Sequence, residues 1–180
     1  MREVEVKVRI KDSKALEDKL AEFGIELPEP VLQDDAIYFD GDRDFNEYQK
    51  CNFVRIRRSV SGAKLTLKRS IENELDSLEH ETTVENGNEA ESIIKELGLK
   101  FGVKVIKYRR EFKLGDISGC LDSVEGLGDF LELEMLMTND KPLNEARDQL
   151  RNKLRELGFN EKDEITQGYD TMAYDLIHNA

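Results

Sequence analysis

The chain has 180 residues, with 39 acidic residues against 27 lysines and arginines, and its net charge is −12 at pH 7. This charge argues against nucleic acid or an anionic membrane as a partner, because like charges repel. No apolar run approaches the roughly 18 residues that a membrane span needs. The length fits one domain with an apolar core, over residues 1–180.

The two cysteines, Cys51 and Cys120, have no CxxC spacing and no nearby histidine cluster. They are therefore predicted to be reduced thiols, and neither a disulfide nor a zinc site is expected. A strand pattern begins at Glu3 and leaves no room for a signal peptide. We expect a cytoplasmic protein.

Three segments have the apolar spacing of amphipathic helices: residues 13–23, 89–97 and 144–157. In each segment apolar residues recur at intervals of three and four, and a glycine stands directly after the last residue. A glycine just past the end is typical of a helix that stops in the left-handed conformation. The sequence thus predicts three helices with one apolar face each.

Most of the remaining chain alternates between apolar and polar residues with a period of two, which is typical of β-strands. The predicted strands are residues 3–10, 36–40, 53–58, 64–69, 78–85, 103–113, 117–124 and 130–137. Turn-like or polar stretches separate them. Eight strands and three helices predict an α+β fold with a large antiparallel sheet.

The polar face of these strands is almost entirely charged, and neighbours on one face often share a sign. The same-sign pairs are Glu3 with Glu5, Arg55 with Arg57, Glu79 with Glu81, Lys107 with Arg109, and Glu132 with Glu134. Any one such face could simply be solvated. A surface selected only for stability would mix the signs, however, because like neighbours repel. The pairs favour a ligand site, with bases for phosphates and carboxylates for Mg²⁺ or Mn²⁺.

A closed barrel reconciles the charged faces with the amphipathic helices. The helices would cover an apolar exterior, and the opposite charges inside would partly neutralise each other. We therefore predict a closed eight-stranded antiparallel β-barrel with helices packed outside. Its charged residues should point inward and its aliphatic residues outward.

In chain order these segments resemble the motifs of the CYTH family, which joins class IV adenylyl cyclases, thiamine triphosphatases and inorganic triphosphatases. The N-terminal ExExK motif is matched by residues 3–7. The later motifs are matched by residues 33–40 (second strand), 53–57 (RxR), 65–68 (LTxK), 79–81 (ExE), 107–109 (KxR) and 121–134 (DxV…GLGxFxExE). The resemblance covers nearly the whole chain.

The resemblance implies the family's triphosphate tunnel, a barrel of eight antiparallel strands, and a role for each charged residue. The residues implied to face Mg²⁺ or Mn²⁺ are Glu3, Glu5, Asp122, Glu132 and Glu134. The residues implied to hold the triphosphate and to act in catalysis are Lys7, Arg55, Arg57, Lys68, Lys107 and Arg109. Glu79 and Glu81 would belong to the wall of the substrate site.

The sequence departs from the family pattern at two places. Ser77 and Leu78 stand where the family often carries an arginine ahead of the ExE pair. Gly168-Tyr169 or Ala173-Tyr174 is the nearest match to the C-terminal Ser-Tyr signature. Either change would affect recognition of the substrate beyond its phosphates, and neither touches the charged centre.

The motifs allow two reactions in one lumen. Attack by the 3′-OH of ATP on the α-phosphorus yields cyclic AMP and pyrophosphate, and attack by water on the terminal phosphorus yields orthophosphate and a diphosphate. The segment 126–130 and the chain length resemble the class IV cyclase branch, so a cyclase is the favoured prediction. An inorganic or organic triphosphatase is the alternative.

A non-catalytic module that binds a triphosphate or a nucleotide is a third hypothesis. The presence of every implied metal carboxylate argues against it. A homodimer is compatible with the sequence.

Overall fold

The computed structural model describes residues 2–40, 52–71, 74–137 and 143–178. The strands are β1 (Arg2–Arg9), β2 (Val31–Asp40), β3 (Asn52–Ser59), β4 (Gly62–Ser70), β5 (Asp76–Val84), β6 (Leu99–Leu114), β7 (Ile117–Val124), β8 (Gly128–Leu136) and β9 (Glu164–Ile165). The helices are α1 (Ser13–Glu22), α2 (Gly87–Glu96), α3 (Leu143–Glu156) and α4 (Tyr169–His178), and a short 3₁₀ turn, Glu161–Asp163, precedes β9. Cys51 lies outside the described residues, and Cys120 is a buried free thiol.

Eight long strands form a closed barrel, which confirms the predicted fold class. Their order is β5-β4-β3-β2-β6-β7-β8-β1, every pairing is antiparallel, and β1 pairs with β5 to close the ring. The closing pairs run from Arg2 opposite Leu78 to Val4 opposite Asp76. Further along the same edge of β1, Lys7 and Val8 pair with the two residues of β9. This closing edge of β1, the seam of the barrel, therefore pairs with both β5 and the short β9.

Two helices cover β1 and β8 from outside. Val4, Val6 and Val8 of β1 are buried in one core with apolar residues of β8, α1 and α3. Burial of a valine or leucine side chain contributes about 1.5–3 kcal/mol, so this core is a main source of stability. Leu20 of α1 and Leu150 of α3 are fully buried in it.

A second core lies under α2. Ala90 and Ile94 of this helix pack on Ala36, Tyr38 and Ile56 of β2 and β3. The helix begins at Gly87, two residues before the predicted start, because the Asn86 side chain accepts hydrogen bonds from the backbone amides of residues 88 and 89 and caps the first turn.

The predicted strand 36–40 is five residues too short, since β2 begins at Val31. Its first half contains Gln33-Asp34-Asp35, where consecutive polar residues hide the period of two. The short β9 and helix α4 were also absent from the prediction. No described helix is long and apolar enough to cross a membrane.

Candidate active site in the barrel lumen

The barrel encloses a cavity of about 220 Å³ that is lined mainly by charged side chains. All predicted site residues except Asp122 line it: Glu3, Glu5, Lys7, Arg55, Arg57, Lys68, Glu79, Glu81, Lys107, Arg109, Glu132 and Glu134. Val4, Val6 and Val8 alternate with the β1 members of this set and are buried in the exterior core. The predicted orientation is therefore observed for residues 3–8 of β1, whereas Ile37 of β2 and Val105 of β6 line the cavity and are exceptions to the outward placement of aliphatic residues.

Arg57 reaches the lumen from β3 and is held by Asp35, its neighbour on β2. Its Nε lies 2.7 Å from Asp35 Oδ1, and its Nη2 lies 2.7 Å from Asp35 Oδ2. Burial alone would raise the pKa of Asp35, but the two hydrogen bonds and the charge of Arg57 lower it well below its ordinary value. The aspartate remains ionised and fixes the guanidinium.

Arg109 lies between two carboxylates. It donates from Nε to Asp122 Oδ1 at 2.7 Å, and its Nη2 contacts both Asp122 and Glu132. Burial would raise the pKa of Glu132, but Arg109 and Lys7 lower it well below the ordinary value. Asp122, predicted to face metal, is buried and does not line the cavity. Its carboxylate is bound by Arg109.

Two lysines complete this basic region, and both are almost fully buried. The Nζ of Lys7 lies 3.4 Å from Glu132 Oε1 and 3.7 Å from Glu5 Oε1. The Nζ of Lys107 lies 3.6 Å from Asp122 Oδ2. Burial first, and then the charge of Arg109, lower the pKa of Lys107 to about 8. Both groups are placed to face an anion in the lumen.

Glu79 and Glu81 of β5 pair with the bases of β3 and β4. Lys68 Nζ lies 2.8 Å from Glu79 Oε1, and Arg55 Nη2 lies 3.8 Å from Glu79 Oε2 and 3.7 Å from Glu81 Oε2. Burial would raise the pKa of Glu79, but Lys68 and Arg55 lower it to about 2. In this structure the two glutamates are counter-ions of the lumen bases.

Three of the predicted site carboxylates are left without enough positive charge. Burial, with the neighbouring glutamates second, raises the pKa of Glu3 to about 7 and of Glu5 to about 8. Burial also raises the pKa of Glu134. Glu5 Oε1 is buried and has no hydrogen-bond partner among the described residues. A divalent cation, which prefers oxygen ligands, would relieve this excess of buried negative charge.

Binding such an ion requires the carboxylates to rotate. Within the part of the chain that the structure describes, no three acidic, cysteine or histidine side chains already stand in a metal-binding geometry. The chemistry of Glu3, Glu5 and Glu134 nevertheless fits Mg²⁺ or Mn²⁺.

The CYTH domain profile matches residues 1–169. The chain belongs to the CYTH family. CYTH proteins are typically enzymes, cyclases or triphosphatases, that act on triphosphates and use divalent metals.

Individual CYTH relatives resemble this chain over most of its length. A candidate adenylate cyclase of Methanocaldococcus jannaschii is 31% identical over 172 residues, which are 94% of this chain and 97% of that protein. A solved structure from Pyrococcus horikoshii superposes with a TM-score of 0.80 at 28% identity, covering 99% of each chain. A candidate adenylyl cyclase of Hippeastrum, described with a dominant triphosphatase activity, superposes with a TM-score of 0.60 at 18% identity, over 93% of this chain and 91% of that chain.

Among the lumen residues of this CYTH domain that the sequence did not identify, Asp35 was missed and Tyr169 was left ambiguous. Asp35 lines the cavity. The sequence could have indicated this, because Asp35 stands two residues before Ile37 and therefore shares the inward face of β2 with it. Of the two matches to the Ser-Tyr signature, Tyr169 lines the cavity. Tyr174 packs against the cluster of Ile37, Phe53 and Val103 and stacks on the His178 ring, with 3.9 Å between centroids.

Proposed function

We propose that the protein is a divalent-metal-dependent enzyme that cleaves the triphosphate chain of a small molecule inside the barrel. Conversion of ATP to cyclic AMP and pyrophosphate is the first candidate reaction. The observation that carries the proposal is the lumen itself, where six bases face three half-buried glutamates whose charge is not matched.

The bases are suited to a polyanion. Arg57, Lys107 and Arg109 lie together, and each is already oriented by an aspartate. A phosphate chain would share these cations with Asp35 and Asp122. Donors fixed in advance stabilise the charge that develops on a leaving phosphate, because they need no reorganisation during the reaction.

Glu3, Glu5 and Glu134 would hold the metal. When bound, Mg²⁺ or Mn²⁺ supplies positive charge to phosphate oxygens and polarises the phosphorus–oxygen bonds. Glu132 and Asp122 are further predicted ligands, but in this structure Arg109 binds both. We therefore assign them first to holding the guanidinium.

The cyclase is supported by the Methanocaldococcus jannaschii relative, whose length this chain covers almost completely. A triphosphatase is the second candidate, and the cavity size favours it. A volume of about 220 Å³ is below the roughly 300–1,000 Å³ of pockets for drug-sized ligands, and it suits a short inorganic triphosphate. The activity described for the Hippeastrum protein is consistent with this alternative.

One experiment separates the candidates. The purified protein is incubated with ATP or inorganic triphosphate and with Mg²⁺ or Mn²⁺, and the products are separated by anion-exchange chromatography. Cyclic AMP with pyrophosphate supports the cyclase, and released orthophosphate supports the hydrolase. Binding without product supports the non-catalytic module. If calorimetry detects no binding of either triphosphate, the proposal is wrong.

A further inference from the structure

The hydroxyl of Tyr169 is a buried polar group in the lumen wall. Tyr169 is the first residue of α4, and only 7% of its surface is exposed. Its hydroxyl has no hydrogen-bond partner among the described residues. An unpaired buried hydroxyl is unfavourable and calls for an explanation, such as a ligand that completes it.

The ring of Tyr169 lies against two of the lumen lysines. Its centroid is 4.1 Å from Lys7 Nζ and 4.9 Å from Lys107 Nζ, both within the range of a cation–π interaction. On another side the ring meets Phe130 edge-on, with 5.1 Å between centroids. The tyrosine thus holds together ammonium groups from β1 and β6, two strands that are not neighbours in the barrel.

The backbone before Tyr169 is tied to the lumen. Lys7 Nζ donates a hydrogen bond to the Gln167 carbonyl oxygen at 3.0 Å, and the Gly168 amide donates to the Glu74 carboxylate. A Cβ at position 168 would lie 3.1 Å from Glu74 Oε2 and 2.2 Å from Asp170 Oδ1, so a larger residue there would displace these carboxylates. The departure from the Ser-Tyr signature therefore accompanies a close backbone contact that places Tyr169.

We propose that Tyr169 is a substrate-binding residue: its hydroxyl donates a hydrogen bond to a phosphate oxygen of the triphosphate that Lys7 and Lys107 bind. The ring holds the two ammonium groups toward that phosphate. This inference rests on the proposed function and adds a residue to the same site. Burial, with the charges of Glu132 and Asp122 second, raises the pKa of Tyr169 well above its ordinary value, so the hydroxyl keeps the proton that it donates.

The test compares Tyr169→Phe with wild type by calorimetric titration of inorganic triphosphate and of ATP, each with Mg²⁺. The variant keeps the ring and its contacts with the lysines and loses only the oxygen. A hydrogen bond to a charged oxygen predicts that Kd rises about tenfold. The melting temperature of the ligand-free variant should not fall, because the lost hydroxyl has no hydrogen-bond partner among the described residues. Tyr174→Phe, on the same helix but outside the cavity wall, is the matched control and should bind as wild type does.

The outcomes distinguish this inference from the proposed function. Equal Kd values for Tyr169→Phe and wild type overturn the role of Tyr169 and leave the proposed function intact. Weaker binding accompanied by a lower melting temperature also overturns it, because the hydroxyl would then be structural. If wild type binds neither triphosphate, the proposed function itself is wrong.

Discussion

Arg109 and Asp122 form a two-point ion pair across the β6–β7 ladder, with Nε 2.7 Å from Oδ1 and a second contact from Nη2. The Asp122 side chain is fully buried in this pair. A carboxylate held in this way acts on a lumen ligand through the guanidinium that it orients. This contrasts with Glu5, which has a buried oxygen without a hydrogen-bond partner among the described residues.

Asp122→Asn should therefore act mainly on stability. Removing one partner of a buried ion pair leaves the other charge poorly compensated, which costs about 3 kcal/mol. We expect a decrease of this size in the free energy of unfolding, measured by urea denaturation of the ligand-free protein. The affinity for Mn²⁺ should change less than in Glu5→Gln. A larger loss of Mn²⁺ affinity in Asp122→Asn would instead assign the aspartate to the metal.

Glu5→Gln should weaken metal binding, because it removes a charged oxygen donor from the unmatched carboxylates. We expect the Kd for Mn²⁺ without triphosphate to rise at least about tenfold by calorimetry. Lys7→Met is the matched variant on the same strand. It removes a positive charge 3.7 Å from Glu5, so it should tighten Mn²⁺ binding and weaken triphosphate binding. Unchanged binding of both ligands in both variants would disprove the assignment of β1.

The ligand-free protein should lose stability as the pH rises from about 5 to about 8. Burial raises the pKa of Glu3 to about 7 and that of Glu5 to about 8 in the folded state, above the ordinary carboxyl pKa of 4.5 that applies to the unfolded chain. Between these values the folded protein binds more protons, so the free energy of unfolding falls with increasing pH. The pKa of Glu79, about 2, lies below this window.

Melting temperatures from pH 5.5 to 8.5, with EDTA or with Mg²⁺, test this pH dependence. The ion should raise the melting temperature more at pH 8 than at pH 6, because at low pH it competes with protons for the same oxygens. Glu5→Gln should flatten the EDTA curve. An EDTA curve for wild type that rises over this range would contradict the prediction.

Gly119→Ala should destabilise the exterior core without changing the lumen. Gly119 of β7 faces Phe112 of β6, and a Cβ there would lie 2.2 Å from the ring carbon Cζ. Overpacking of this kind costs about 1–3 kcal/mol, measurable by urea denaturation. The double variant Gly119→Ala with Phe112→Leu should recover part of the loss. The Kd of the folded single variant for inorganic triphosphate should equal that of wild type.

Much of the fold could be predicted because a period of two assigns each residue to a face. The charges of residues 3–7 alone do not identify a barrel interior, since the polar face of a sheet that is packed on one side only can be exposed to solvent. Same-sign pairs such as Arg55 with Arg57 made a closed lumen the better hypothesis, and closure is observed. The strand β2 shows the limit of the rule, because Gln33, Asp34 and Asp35 break the alternation while the backbone remains extended.

The pairing of individual charges could not be predicted. Whether Glu132 faces a metal or Arg109 depends on the register of β6, β7 and β8, which local sequence does not determine. Tyr169 reaches the lumen because Gln167 and Gly168 contact Lys7 and Glu74, residues that are far away in sequence. Such contacts follow from closure of the barrel, and a period of two carries no information about them.

The shared seam also has a consequence for how the chain folds. The N-terminal strand β1 pairs with β5, β8 and β9, so its two edges are completed by segments made much later in synthesis. Folds dominated by such distant pairings have high contact order and fold slowly, in milliseconds to seconds. During synthesis on the ribosome, both edges of β1 would not be fully paired until β8 and β9 have emerged. Its row of charged side chains, Glu3, Glu5, Lys7 and Arg9, then has a second use, since charged side chains on an exposed strand discourage aggregation.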